Sequence, residues 1–136
     1  MAASKQAVNI ELEIPFHDVD SLGVVWHGHY YKYMELARTA LLRSLELEVQ
    51  QIRDLGYRLY VIETRCRYAF PLRYAERARV AAWIKDVDNR ITIAYEVYNV
   101  TAGRRAARGH TVLASTDAEG NLLLETPDAI RRRLRP

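Results

Sequence analysis

Along the first residues the polar and apolar positions alternate. Val8, Ile10, Leu12 and Ile14 fall on one side of an extended segment and Asn9, Glu11 and Glu13 on the other, which predicts a half-buried strand ended by Pro15. From Tyr30 to Leu45 the period lengthens. Tyr30, Tyr33, Met34, Ala37, Leu41 and Leu45 follow helical spacing, with Lys32, Thr39 and Arg43 opposite. Tyr31, Leu36 and Leu42 widen the apolar surface beyond one stripe, so the pattern predicts a helix enclosed on more than one side. A shorter helix over Glu48 to Leu55 is expected to stop at Gly56, a residue suited to a left-handed C-terminal position.

Beyond Gly56 the texture becomes β-branched and aromatic. Tyr57 to Ala69, Ala78 to Asp86, Arg90 to Asn99 and Arg105 to Ser115 read as strands, with Asp88-Asn89 and Thr101-Ala102-Gly103 as turns of an antiparallel meander. Asp117 to Asn121, which carries Gly120, closes another turn before an extended Leu122 to Leu124. A last helix is expected from Pro127, capped by Thr126, into Arg131 to Arg133. One strand, one long apolar helix and then four or five strands predict an α+β domain: an antiparallel, curled sheet of about five strands wrapped around one long central helix. There is no linker, repeat or low-complexity tract, so one domain over residues 1–136 is expected. The far face and edges of the sheet are candidates for pairing with a second subunit.

Composition narrows the picture. A chain of 136 residues with 49% apolar content is enough for one core. No apolar run approaches the roughly 20 residues needed to cross a bilayer, and the start has no apolar stretch like that of a signal peptide, so a cytoplasmic protein without a membrane partner is expected. The single cysteine, Cys66, excludes an intramolecular disulfide and reads as a small strand residue without a role. The net charge of +3 comes from arginine, lysine standing only at Lys5, Lys32 and Lys85. Basic residues alternate with acidic ones and form no basic helix or aromatic-plus-basic motif, so nucleic acid is not an expected partner.

The chemistry is concentrated between the first strand and the long helix, in Phe16-His17-Asp18-Val19-Asp20-Ser21-Leu22-Gly23-Val24-Val25-Trp26-His27-Gly28-His29-Tyr30. Acids, histidines and glycines here precede a helix N-terminus, whose free N–H groups and positive dipole end can stabilise a developing oxyanion. On these residues the chain resembles the hotdog-fold 4-hydroxybenzoyl-CoA thioesterases and YbgC-like acyl-CoA thioesterases. The likeness runs through DVDSLGVVWHGHYYKYMELARTALL and, more faintly, through RYAFPLRYAERARVAAWI and the closing strands.

The resemblance implies that Asp20 is the catalytic carboxylate, as nucleophile or general base, and that the backbone N–H of His27 polarises the thioester carbonyl. It also implies that the His27 imidazole can assist, and that neither metal nor cofactor is needed beyond the CoA of the substrate. From the residues alone, Asp20 reads more readily as a turn former, and Asp18 as structural, holding the loop by bonds to backbone. Gly23 and Gly28 are expected to let the chain turn and the acyl group approach the backbone, with Tyr30 beside them at the oxyanion and substrate end. Glu35 is the rival acid, since another hotdog subfamily carries its catalytic glutamate on the helix; its alternative is a pairing with Arg38 or Thr39. Arg65, Arg67, Arg73, Arg104, Arg105 and Arg108 are either solvated surface or contacts for CoA phosphates.

The expected function is hydrolysis of an acyl-CoA by a homodimer or homotetramer whose acyl pocket forms between subunits. Release of an acyl chain from an acyl-carrier protein is the alternative within the same chemistry, and a non-catalytic acyl-CoA-binding module the alternative outside it. Tyr30, Tyr33, Tyr57, Tyr60 and Tyr68 either line an acyl pocket or belong to the core.

Overall fold

The computed structural model describes residues 7–135. In chain order these form β1 (Val8–Glu13), a short 3-10 turn (Phe16–Asp18), α1 (His29–Ser44), α2 (Val49–Asp54), β2 (Tyr57–Tyr68), β3 (Arg77–Asp86), β4 (Ile91–Asn99), β5 (Arg104–Asp117) and α3 (Asp128–Leu134). The strands build one five-stranded sheet in the order β1-β3-β4-β5-β2, antiparallel at every junction. One row of the pleat runs Ile10, Val80, Val97, Ala107 across four strands and faces α1.

The α1 stripe is the one the spacing predicts: Tyr30, Tyr33, Met34, Ala37 and Leu41 are buried against β1, β3 and β4. An isolated helix of this length is marginal in water, so packing supplies its stability, at about 2 kcal/mol for each large apolar side chain taken out of water. Gly56 ends the segment after α2 with a φ of 92°, the left-handed conformation expected of it.

Four expectations change. The strand that follows α2 does not open a meander: β2 crosses to the far edge and pairs with β5, leaving β3, β4 and β5 as the meander. The residues that were to widen the apolar surface do not all find cover, since Tyr31 is 37% and Leu36 51% exposed. Leu122 to Leu124 contributes only a single bridge, Thr116 to Leu122, after a tight turn closed by the Asp117 carboxylate. Thr126 does not cap α3; Pro127 occupies the N-cap and the Thr126 hydroxyl is buried without a partner.

Gly109, on β5, stands where the sheet leaves no room for a side chain. A Cβ there would lie 2.2 Å from the Arg65 carbonyl oxygen and 3.0 Å from the Met34 methyl. The backbone atom cannot rotate away, so Gly109→Ala is expected to destabilise the fold by about 2–3 kcal/mol in urea or thermal unfolding. A cost below about 0.5 kcal/mol would show that the contact is not fixed.

Candidate active site

The loop between β1 and α1 folds back on itself. Val19 and Val25 form an antiparallel bridge, the Asp20 N–H donates to the Val24 carbonyl at 2.9 Å, and the Gly23 N–H to the Asp20 carbonyl at 3.0 Å. Gly23 turns this small hairpin at a φ of 82°. Val25 ties it to the rest of the molecule by donating to the Leu72 carbonyl at 2.8 Å.

The two acids of the hairpin have different surroundings. Asp18 is 2% exposed; its Oδ1 accepts from Lys32 Nζ and its Oδ2 from the Tyr33 hydroxyl, both at 2.6 Å. Both donors stand on α1, so Asp18 binds loop to helix through side chains, and not through the backbone as the sequence suggests. His17 and His29 Nε2 lie 3.7 and 3.8 Å from Oδ1. Burial pushes this carboxyl up, but the hydrogen bonds from Lys32 and Tyr33 and the charges of Lys32 and His29 outweigh it, leaving it below the ordinary value.

Asp20 is half-buried beside the turn. Its Oδ1 accepts the Leu22 N–H at 2.9 Å, and among the described residues no donor reaches Oδ2. One oxygen therefore orients the carboxylate and the other is available. The turn role and a chemical role coexist in this side chain.

The helix begins two residues later than His27: His29 is its first residue and Gly28 its N-cap. The Val25, Trp26 and His29 N–H groups donate to the carbonyls of Leu72, Asp18 and Trp26, whereas among the described residues those of His27 and Gly28 meet no acceptor. Gly28 has an ordinary φ of −69°; its value is space, since a Cβ would strike the Trp26 ring at 2.2 Å. His27 is exposed, its ring 5.0 Å from that of Trp26, and its carbonyl accepts from the Tyr68 hydroxyl at 2.7 Å. Tyr68, at the end of β2, thus fixes the peptide that presents the free amides, a role with no signal in the local sequence. Tyr30 lies beneath, 3% exposed and edge-on to Tyr68 at 4.9 Å; burial pushes its phenol up to about 12, so it keeps its proton at neutral pH.

Across the hairpin Asp20 stands opposite Val24, which precedes His27 by three residues. Glu35 sits six residues into α1 from His29, roughly 9 Å along the axis, and pairs with Arg38 at 3.4 Å. It faces a cavity of about 330 Å³ between α1, α2 and β2, lined also by Leu42, Ile52, Leu59 and Val61. Asp20 and His27 are not part of that cavity. Cys66 is half-buried and its thiol is pushed up by burial, which suits a passive strand residue. Among the described residues no three His, Cys, Asp or Glu side chains converge as metal ligands.

A five-stranded antiparallel sheet with a helix on one face, preceded by a loop that carries two acids and two free amides, makes the molecule an α+β protein. The chain belongs to the Thioesterase-like superfamily, whose family model matches residues 14–134. The protein YneP of Bacillus subtilis (strain 168), provisionally assigned as an acyl-CoA thioesterase, is 33% identical over 90 residues, 65% of this chain and 65% of its own length. The structure of a 1,4-dihydroxy-2-naphthoyl-CoA thioesterase from Synechocystis superposes with a TM-score of 0.82 at 20% identity, covering 94% of this chain and 95% of that one. A DHNA-CoA thioesterase from Staphylococcus aureus gives 0.78 at 23% identity over 87% and 80%. At such identities these structures speak for the fold.

The Asp18 clasp has a pH signature. A depressed folded pKa gives stability that is complete above the unfolded value, near 3.9, and is lost as pH falls through the folded value. Asp18→Asn is expected to lower stability at pH 7 by about 2–3 kcal/mol, since Tyr33 and Lys32 lose a charged acceptor, and to flatten the stability curve below about pH 4. Equal acid sensitivity in variant and wild type would remove Asp18 from that role.

Proposed function

We propose that the protein hydrolyses an acyl-CoA thioester to a free acid and CoA, at a site formed by Asp20 and the amides of His27 and Gly28. One observation carries the reading: the Asp20 carboxylate has one oxygen anchored and one open, on the same loop as two consecutive N–H groups without acceptors. Family membership and the names of the relatives support the same chemistry.

Asp20 serves as general base or as nucleophile. As base it takes a proton from water while the water oxygen attacks the thioester carbon. As nucleophile its free oxygen attacks, forming a mixed anhydride that water then opens. In either route the carbonyl oxygen gains charge beside the His27 and Gly28 amides, the C–S bond breaks, and the thiolate leaves to be protonated. Fixed amides need no reorganisation as that charge develops, an effect worth about 3 kcal/mol per donor in comparable oxyanion sites. No metal or cofactor is invoked, Glu35 is assigned to its ion pair with Arg38, and the proposed setting is the cytoplasm; no described helix is long and apolar enough to cross a membrane.

The working unit is proposed as a homo-oligomer, built first on the β2 edge, in which the sheet curls about the central α1 of each hotdog subunit. β2 is a twelve-residue edge strand whose centre, Tyr60, Val61 and Ile62, is half-exposed at 54%, 49% and 55%. A strand of that length with an apolar middle and unpaired backbone groups is suited to antiparallel pairing with its own copy about a two-fold axis.

Asp20→Asn is expected to lose at least about a hundredfold in kcat on a panel of short, long and aromatic acyl-CoAs while its circular dichroism is unchanged. Near-normal rates would refute the assignment. His27→Ala separates the imidazole from the amide: turnover within about threefold of wild type assigns the backbone alone, and a larger loss adds the side chain. Val61→Glu is expected to shift the mass in light scattering from oligomer to monomer and to lower turnover with it.

A further inference from the structure

The face of the sheet turned away from α1 carries a second feature. Two rows of the pleat cross it side by side. One runs Trp83, Ala94, His110, Arg65 and the next Ala81, Glu96, Arg108, Arg67, from β3 through β4 and β5 to β2. Ala94 leaves room on β4 and long cationic side chains stand on β5 and β2, around an open groove of about 570 Å³ that Lys85 and Arg105 also line.

The charge in this groove is unbalanced. Five basic side chains, Arg65, Arg67, Lys85, Arg105 and Arg108, face one carboxylate, Glu96. Arg105 lies 3.6 Å from Glu96, and His110 lies 3.3 Å from Glu63 at the rim. Among the described residues Arg65, Arg67, Lys85 and Arg108 have no carboxylate within 4.0 Å. Arg67 and Arg108 are direct cross-strand partners, an arrangement of like charges that weakens a sheet unless an anion lies between them. Two guanidinium forks on neighbouring strands suit phosphate oxygens, and Trp83 lines the β3 side of the groove with an aromatic ring. The volume falls within the range of small-molecule sites.

We propose that this groove binds a phosphorylated nucleotide, its phosphates held by Arg67, Arg108 and Arg65 and its base laid on Trp83. The site is separate from the Asp20 loop: within β2, Arg67 faces the groove, whereas its neighbour Tyr68 turns to the other side and holds the His27 carbonyl. The nucleotide has two available sources, the adenosine bisphosphate end of a CoA thioester and a free nucleotide. Their recognition chemistry is the same.

Isothermal titration calorimetry at low salt, with adenosine 3′,5′-bisphosphate, ADP and inorganic phosphate, tests the proposal. Both nucleotides should bind at least about tenfold tighter than phosphate. Arg67→Gln with Arg108→Gln should weaken them by about tenfold or more with the fold intact, and Trp83→Leu should weaken the nucleotides but not phosphate. Asp20→Asn should bind them as wild type does, so this result stands or falls apart from the hydrolytic reading. If the arginine pair lowers kcat/KM on an acyl-CoA but not on the matching acyl-pantetheine, the source is the substrate; if neither changes while nucleotide binding is lost, it is a free nucleotide. Absence of nucleotide binding, equal affinity for phosphate and nucleotide, or unaltered binding in the arginine variant would each overturn the proposal.

Discussion

A buried carboxylate holds the functional end of this molecule together. Asp18 is taken out of water by the loop around it and is tolerable there only because Lys32 and Tyr33 supply a charge and two short hydrogen bonds. Since both donors are on the first turn and a half of α1, satisfying Asp18 fixes the loop to the helix. The position of everything downstream, from the Gly23 turn to the free amides at His27 and Gly28, follows from that attachment together with the Val25 bond to Leu72 and the Tyr68 bond to the His27 carbonyl.

The same geometry separates the duties of two acids only two residues apart. Alternation along an extended segment is not the whole reason, because Asp18 and Asp20 would then share a side. Asp18 belongs to a 3-10 turn and points to the helix, whereas Asp20 opens a hairpin turn and spends one oxygen on the Leu22 amide. Each Asp18 oxygen is held by a donor from the helix, a lysine on one and a tyrosine on the other, whereas Asp20 keeps one oxygen open at an accessible turn. The local fold, more than the identity of the residues, distributes the chemistry.

Periodicity made much of this legible in advance. The α1 stripe, the limits of β3 and β4, the turn at Gly103 and the stop at Gly56 are local decisions, taken by side-chain spacing and by glycine where φ is positive. The place of β2 was not legible, because strand order depends on which edges remain free after β3, β4 and β5 pair, and nothing within Tyr57 to Tyr68 encodes its neighbour. The Asp18 clasp and the Tyr68 contact were hidden for a related reason: their partners lie 14 and 41 residues away, and a lysine on the polar side of a helix has the same appearance whether it meets water or a buried acid.

The exposed parts of the single chain bear on how the proposed reaction could proceed. An acyl chain gains about 0.8 kcal/mol for each methylene removed from water, so a thioesterase needs walls around the acyl group and water only at the carbonyl. Here Phe16, Leu22 and Trp26 are exposed around the loop, and the 330 Å³ cavity lies at the other end of β2 from Tyr68. One chain thus offers the proposed acid and amides with an incomplete apolar enclosure. The assembly proposed on the β2 edge would supply an apolar wall, a second β2 with its own Tyr60, Val61 and Ile62. On this view assembly and substrate binding draw on the same surface, and an agent that separates the subunits removes the acyl site while leaving Asp18, Asp20 and the free amides in place.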